Sequence, residues 1–227
     1  MEQDALISPR PRFFPMQRMR RAMRGMFITF EGIDGSGKTR TAKKTAETLG
    51  KRGLPIVLTT EPTRTWLGDA VKRSYGEKVS VFTEAMLFMA DRATHTEWIR
   101  EQVRKGRLVI SDRYCDSTYA YQGARLKGLV SNPMHWLRRM SAPFVIEPDL
   151  TILLDVEPRI GLRRIAPRKK KVHFEKERFL KQVRGNYLRL ARGKRFVVVD
   201  ASRWFDEVLE ESLEAVSSLV SRAPGRR

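Results

Sequence analysis

The most constraining stretch of this 227-residue chain is an apolar run, Phe27 to Phe30, followed at once by Gly32-Ile33-Asp34-Gly35-Ser36-Gly37-Lys38-Thr39. That segment fits G-x-x-x-x-G-K-[ST] at each fixed position, and the residues after it, from Lys38 to Arg52, have helical spacing. A strand that turns through glycines straight into a helix is half of a crossover unit, and crossover units build parallel sheets. The glycines let backbone N–H groups converge on one point, and the helix N-terminus adds a partial positive charge there. Gly32, Gly35, Ser36, Gly37, Lys38 and Thr39 therefore read as a loop around the phosphates of a nucleoside triphosphate. Lys38 would reach the β and γ phosphates, and the Thr39 hydroxyl would hold Mg²⁺. A turn without a ligand needs neither the lysine nor the hydroxyl. The motif leaves the acceptor open: water, a protein, a nucleic acid or a small molecule.

From Met26 onward, short β-branched or apolar runs alternate with longer helical patterns. The expected strands are 27–30, 56–59, 108–111, 151–154 and 196–199, and the expected helices 38–52, 79–104, 117–127, 133–141, 174–192 and 204–220. Gly106 ends the long helix before the third strand, and Pro143 and Pro148 punctuate the approach to the fourth. No internal repeat is apparent. The pattern predicts a three-layer α/β domain with about five parallel strands covered by helices.

With 41% apolar residues the chain can bury one substantial core. Its longest apolar runs, such as Val197 to Val199 with its neighbours, fall far short of the roughly 20 residues that cross a bilayer, so no membrane is expected and the protein reads as soluble. One cysteine, Cys115, excludes an intramolecular disulfide and is too little for a structural zinc site, which suits a reducing, cytoplasmic setting. His95, His135 and His173 are dispersed and have no metal-ligand spacing. The formal charge of +19 attracts polyanions, whether nucleic acid or nucleotides. Part of it sits in residues 1–25, a flexible basic tail carrying Arg10, Arg12, Arg18, Arg20, Arg21 and Arg24 among prolines and methionines. Methionines at 16, 19, 23 and 26 leave open a later start of translation. The tail reads either as an unstructured leader or as an arm for nucleic acid or targeting.

After the third strand, Asp112-Arg113 places a carboxylate and a guanidinium at the C-terminal edge of the sheet, where open α/β folds bind ligands. Asp112 could orient Mg²⁺ or its waters, and Arg113 could clamp a phosphate with its planar fork. A structural ion pair explains a bare Asp-Arg equally well.

Four blocks in order carry a family resemblance: Phe27 to Thr39, Thr60-Glu61-Pro62-Thr63, Leu87 to His95, and Asp112 to Gly123. Together they resemble the thymidylate kinase family, from about Met26 to the last helix. The resemblance implies a P-loop kinase fold over 26–227 with helices on both faces of the sheet, Mg-ATP and dTMP as substrates, and a homodimer. It implies that Asp34 meets the sugar 3′-hydroxyl, that Arg113 binds the dTMP phosphate, and that Phe88 stacks on the pyrimidine. Arg92, four residues along the same helix, would reach the base or the acceptor phosphate. Ser117, Thr118 and Gln122 would meet the polar edge of thymine, and Tyr121 would crowd the sugar 2′ position. Taken alone, Phe88 fits a core position and Ser117 fits a helix cap.

The family has a mobile lid where this chain carries a basic run, at about 161–174. With Gly35 and Ser36 in the phosphate loop the chain resembles the branch whose arginine lies in the lid, and Arg164 and Arg168 fall on its basic positions. Lid arginines and Lys38 would neutralise charge on the transferring phosphate. Ala166 stands where an arginine is frequent, and Val172-His173 where Asp-Arg is common. Trp66, Trp98, Trp136 and Trp204 lie on helical patterns and read as core or interface. Besides transfer to dTMP, two other functions fit: a kinase of another nucleotide on the same fold, or a nucleotide-dependent nucleic-acid-binding protein using the basic tail and lid.

Overall fold

The computed structural model describes residues 25–165 and 177–222; the tail up to residue 24, residues 166–176 with Arg168, and residues 223–227 lie outside them. Five strands form a wholly parallel sheet of order β2-β3-β1-β4-β5. They are β1 (Met26–Glu31), β2 (Ile56–Thr60), β3 (Leu108–Asp112), β4 (Leu150–Asp155) and β5 (Phe196–Asp200). Each lies within a residue of its expected range.

β1 is central because neither of its faces can tolerate water. Met26, Ile28 and Phe30 pack with Ala42, Ala46 and Leu49 of α1 (Lys38–Lys51), while Phe27 packs the other way with Ala85, Met89 and Ile99 of α3 (Val81–Arg104). A strand buried along both faces needs a helical layer on each side. Burying side chains such as Ile28 and Phe30 completely contributes about 1.5–3 kcal/mol apiece. α1 and α8 (Phe205–Arg222) cover one face; α3 covers the other with α4 (Cys115–Arg125) and α7 (Glu177–Leu190), which pack together.

Two helices lie outside the expected ranges, although Trp66 at the start of the first was read on a helical pattern. α2 (Trp66–Ser74) starts where the Thr65 side chain accepts from the Gly68 N–H at 3.4 Å, and Gly68 within it disguises the helix in the sequence. That glycine is packing-driven: an added Cβ would stand 2.1 Å from the Thr63 carbonyl oxygen. α6 (Pro158–Ile165) occupies the first part of the expected lid, with Gly161 and Ile165 buried. α5 (Pro133–Ser141) matches its expected range because its start is written locally: Asn132 accepts from the His135 N–H at 3.4 Å, and proline follows the cap. α4 begins at Cys115, two residues before the expected Ser117. Gly25, assigned to the tail, is buried against Val103 of α3. Trp66 and Trp204 are 77% and 84% exposed and so are not core.

α6 matters because the phosphate loop rests on it. A Cβ on Gly35 (φ +81°) would stand 2.1 Å from the Gly161 carbonyl oxygen, whereas one on Gly37 (φ +94°) would meet nothing within 4 Å. Gly35→Ala is therefore expected to cost about 2–5 kcal/mol, the sum of left-handed strain and overpacking. Gly37→Ala should cost only about 1–2 kcal/mol, the backbone strain alone. Urea unfolding of the two variants side by side measures the difference.

Candidate active site

The loop between β1 and α1 is built to receive an anion. Gly37 is the N-cap of α1 with no side-chain cap bond, and no acidic residue lies in the first turn. The first-turn N–H groups thus point at the crevice without a competing carboxylate. The Ser36 hydroxyl is buried with no hydrogen-bond partner, and Thr39 is exposed beside it. Lys38 donates to the Ile33 carbonyl at 3.2 Å and lies 3.6 Å from Asp34 Oδ1. Burial first, then the Arg113 guanidinium, push the Lys38 ammonium down to about 8 against the pull of Asp34, Asp112 and Glu31.

Across the crevice, β3 ends at Asp112, whose Oδ1 is buried and has no hydrogen-bond partner. Arg113 follows with φ +73°, the only positive φ outside glycine among the described residues. That conformation costs a non-glycine residue about 1–2 kcal/mol and persists only where neighbours impose it. Here the Arg113 N–H donates to the Phe30 carbonyl at 3.0 Å, and the Tyr114 N–H donates to Glu31 Oε1 at 2.8 Å. The guanidinium donates to Asp34 Oδ1 and, at 3.0 Å, to Ser117 Oγ, and it lies 5.3 Å from the Tyr121 ring centroid. Burial works to raise the Asp34 carboxyl, but Arg113 and Lys38 outweigh it and hold it below its usual value. The Tyr121 hydroxyl accepts the Asp34 N–H at 3.0 Å. Asp34, Lys38, Arg113 and Tyr121 are thus one cluster joining the phosphate loop to the β3–α4 turn.

Ser117 does not cap α4. Tyr114 is the N-cap and makes no side-chain cap bond; the buried Glu31 carboxylate does the capping, accepting the Tyr114 and Ser117 N–H groups at 2.8 and 3.3 Å. The Ser117 hydroxyl donates to Glu31 Oε2 at 2.7 Å, and the Tyr187 hydroxyl of α7 donates to the same oxygen at 2.9 Å. Burial, then Asp116, raise the Glu31 carboxyl to about 7, against the hydrogen bonds and Arg113, which pull it down.

The residues expected to read the base lie on α3 and α4, most of them buried. Arg92 is buried, donating through Nε and Nη2 to Glu61 Oε2 at 3.0 and 2.6 Å and to the Tyr114 carbonyl at 3.2 Å; its Nη1 has no partner. Glu61 also accepts from His95 Nδ1 at 2.9 Å. Burial raises the Glu61 carboxyl, yet Arg92 and His95 hold it below its ordinary value. The Thr118 hydroxyl is buried and unpartnered, and Gln122 donates to Glu84 at 3.2 Å. Phe88 is half-buried, not core, with its ring tilted against Tyr75 at 6.3 Å. Arg164 is exposed and donates to the Ala201 carbonyl at 2.8 Å and to that of Gly35 at 3.5 Å.

Glu31, Glu61, His95, Tyr75 and Tyr187 carried no role in the sequence reading. Glu31 had a signal: a lone carboxylate ending an apolar strand must be partnered if buried. Tyr187 had none, since its partner is 156 residues away.

Among the described residues no group of three or more His, Cys, Asp or Glu side chains could hold a metal, and no helix is long and apolar enough to cross a membrane. The model of the family described as thymidylate kinase matches residues 30–212. A protein named "Probable thymidylate kinase" from Methanococcoides burtonii is 41% identical over 201 residues, covering 87% of this chain and 99% of that one. Its namesake from Methanosarcina barkeri is 42% identical over 204 residues, covering 88% and 100%. A third, from Methanoculleus marisnigri, is 46% identical over 179 residues, covering 78% and 86%. With a family model over most of its length and relatives aligned nearly end to end, the chain belongs to the thymidylate kinase family.

Proposed function

We infer that this chain transfers the γ-phosphate of ATP to dTMP, giving dTDP for DNA synthesis. The observation that carries the reading is the crevice itself: an uncapped, glycine-rich helix start on one side and an arginine fork on the other, joined through Asp34. Such a crevice suits two phosphate-bearing ligands facing each other. In the reading, Gly32, Gly35, Ser36, Gly37, Lys38 and Thr39 take the ATP phosphates, and Arg113 takes the phosphate of dTMP. Arg92 is already neutralised by Glu61, so its open Nη1 offers a directed hydrogen bond and little net charge. That suits the neutral thymine ring, with Thr118 and Gln122 at its edge and Phe88 against its face, while the Ser117 hydroxyl, expected there too, is taken up by Glu31, Tyr187 and Arg113. Asp34 meets the sugar 3′-hydroxyl, and Tyr121 narrows the room beside it.

The attacking oxygen belongs to a phosphate already ionised near neutral pH, so the reaction needs no general base. Rate then comes from holding acceptor and donor in line and from cations placed where charge develops. Lys38 and Arg113 supply that charge; Arg164 stands beside the loop, and Arg168 would add to it from the segment outside the described residues. The exposed Thr39 hydroxyl and the unpartnered Asp112 Oδ1 are oxygen donors of the kind Mg²⁺ takes and would hold it together with the nucleotide. Bound there, it would neutralise phosphate charge. Exposed Trp66, Phe82, Met86 and Trp98 on α2 and α3 support pairing of two copies, and the free, buried Cys115 suits a cytoplasmic setting. A nucleic-acid role for the basic tail is not needed by this reading.

ADP release from Mg-ATP, compared across dTMP, dUMP, UMP, CMP, AMP and no acceptor, tests the function. Strong preference for dTMP is expected; acceptor-independent hydrolysis would overturn the reading. Lys38→Ala should leave the fold intact and lower kcat/KM by at least about 10²–10³-fold. Since Lys38 loses its proton as pH rises through about 8, KM for ATP should be flat below that pH and climb above it. A flat profile to about pH 9 would show that its charge does not hold the phosphates.

A further inference from the structure

We propose that Glu31 is a positioning residue of the acceptor side: a proton-sharing triangle of Glu31, Ser117 and Tyr187 holds Arg113 in the geometry that receives the acceptor phosphate. The proposal rests on the function inferred above and deepens it.

Three oxygens lie mutually within hydrogen-bond reach: Ser117 Oγ to Glu31 Oε2 at 2.7 Å, Tyr187 Oη to Glu31 Oε2 at 2.9 Å, and Ser117 Oγ to Tyr187 Oη at 2.9 Å. An ionised Glu31 leaves two hydroxyl protons for these contacts, so one edge lacks a hydrogen bond. A proton on Oε2 closes the ring. Ser117 Oγ keeps a lone pair for Arg113 Nη1, which donates to it at 3.0 Å. Glu31 Oε1 meanwhile pins the Tyr114 N–H, fixing the peptide that follows Arg113 and its positive φ. Both the backbone and the fork of Arg113 are thus set from one buried carboxyl.

The charged and titratable groups facing Glu31 are Arg113, Tyr114, Cys115 and Asp116 from the β3–α4 segment, Tyr187 from α7 and Lys38 from α1. Burial and Asp116 favour its neutral form, and titration near 7 places the change at working pH. A dianionic acceptor phosphate on Arg113 would disfavour the ionised carboxylate further. Affinity for dTMP should therefore weaken as Glu31 loses its proton.

Two variants separate shape from charge. Glu31→Gln keeps an acceptor for the N–H groups and a donor for the hydroxyls, mimicking the neutral acid. Its KM for dTMP should equal that of the wild type at about pH 6, and the ratio of wild-type to Gln KM should rise through pH 7; the ratio cancels the titration of the substrate phosphate. Glu31→Ala should raise KM for dTMP at least about tenfold while KM for ATP changes less than about twofold. A ratio flat with pH, or equal losses for both substrates, would overturn the proposal.

Melting curves give a readout free of activity. The Glu31 carboxyl is raised from its ordinary 4.5 to about 7 on folding, so its contribution is full below 4.5 and is lost as pH rises to 7. Glu31→Gln should then gain in Tm over the wild type across that window and hold the gain above it. A wild type that ignores dTMP would end the functional reading, and the melting comparison would still decide the triangle, since a gap constant with pH refutes it.

Discussion

The catalytic edge depends on how closely the backbone runs where β1 leaves the sheet. Gly35 approaches the Gly161 carbonyl so nearly that a single methyl would collide with it, so loop and α6 can only exist as one packed unit. That contact fixes the path of the phosphate loop, and the path fixes the start of α1 and the direction of its unpaired N–H groups. Arg164 strengthens the same seam, tying Gly35 and Ala201 with one guanidinium. α6 and the phosphate loop therefore share a backbone contact, and displacement of one must be felt by the other.

Electrostatics forms the second layer. The carboxyl groups near the site, Glu31, Asp34, Glu61, Glu84, Asp91 and Asp112, outnumber the cations Lys38, Arg92, Arg113 and Arg125. An anion could not enter unless most of those charges were already committed. They are: Glu61 to Arg92 and His95, Asp91 to Thr63 at 2.5 and 2.8 Å, Glu84 to Gln122 and Arg125, and Glu31 to the start of α4. Breaking such a buried pair by removing one partner typically costs about 3–5 kcal/mol, so this wall is rigid before any ligand arrives. The formal charge of +19 belongs to the chain as a whole, and a net charge of that sign acts at range by raising the local concentration of nucleotides.

The strands were legible because each is a short β-branched or aromatic run between helical periods, and α5 because Asn132 and Pro133 write its start. α2 was legible only as a helical pattern at Trp66, without bounds, since a glycine chosen for contact with Thr63 breaks it further on. α6 was hidden inside a run that reads as charge, although its buried face is Pro158, Gly161 and Ile165. At the site, the phosphate loop was read from local spacing and Asp112-Arg113 from their place at the sheet edge, while roles for Phe88, Arg92 and Thr118 came only from family resemblance. Pairings such as Glu61 with Arg92 or Glu31 with Tyr187 join distant segments, and local pattern carries no trace of them. Ser117 shows the limit well: its chemistry suggested a cap, but the folded chain brings a stronger acceptor, Glu31, to the same N–H groups.

Asp34 is where these layers meet the chemistry. Its carboxylate lies against both Lys38 and Arg113, one on each side of the crevice, and so competes with phosphate at both. A phosphate on Arg113 must displace Asp34 or share the fork with it. Arginine permits sharing, because its fork offers several donors in one plane; lysine would not. The strained backbone of Arg113 is held by its neighbours: its own N–H is tied to the Phe30 carbonyl and the next N–H to Glu31, while its fork reaches Asp34 in the phosphate loop. Strain, the Glu31 anchor and the Asp34 contact are three parts of one arrangement that fixes the Arg113 cation against the phosphate loop.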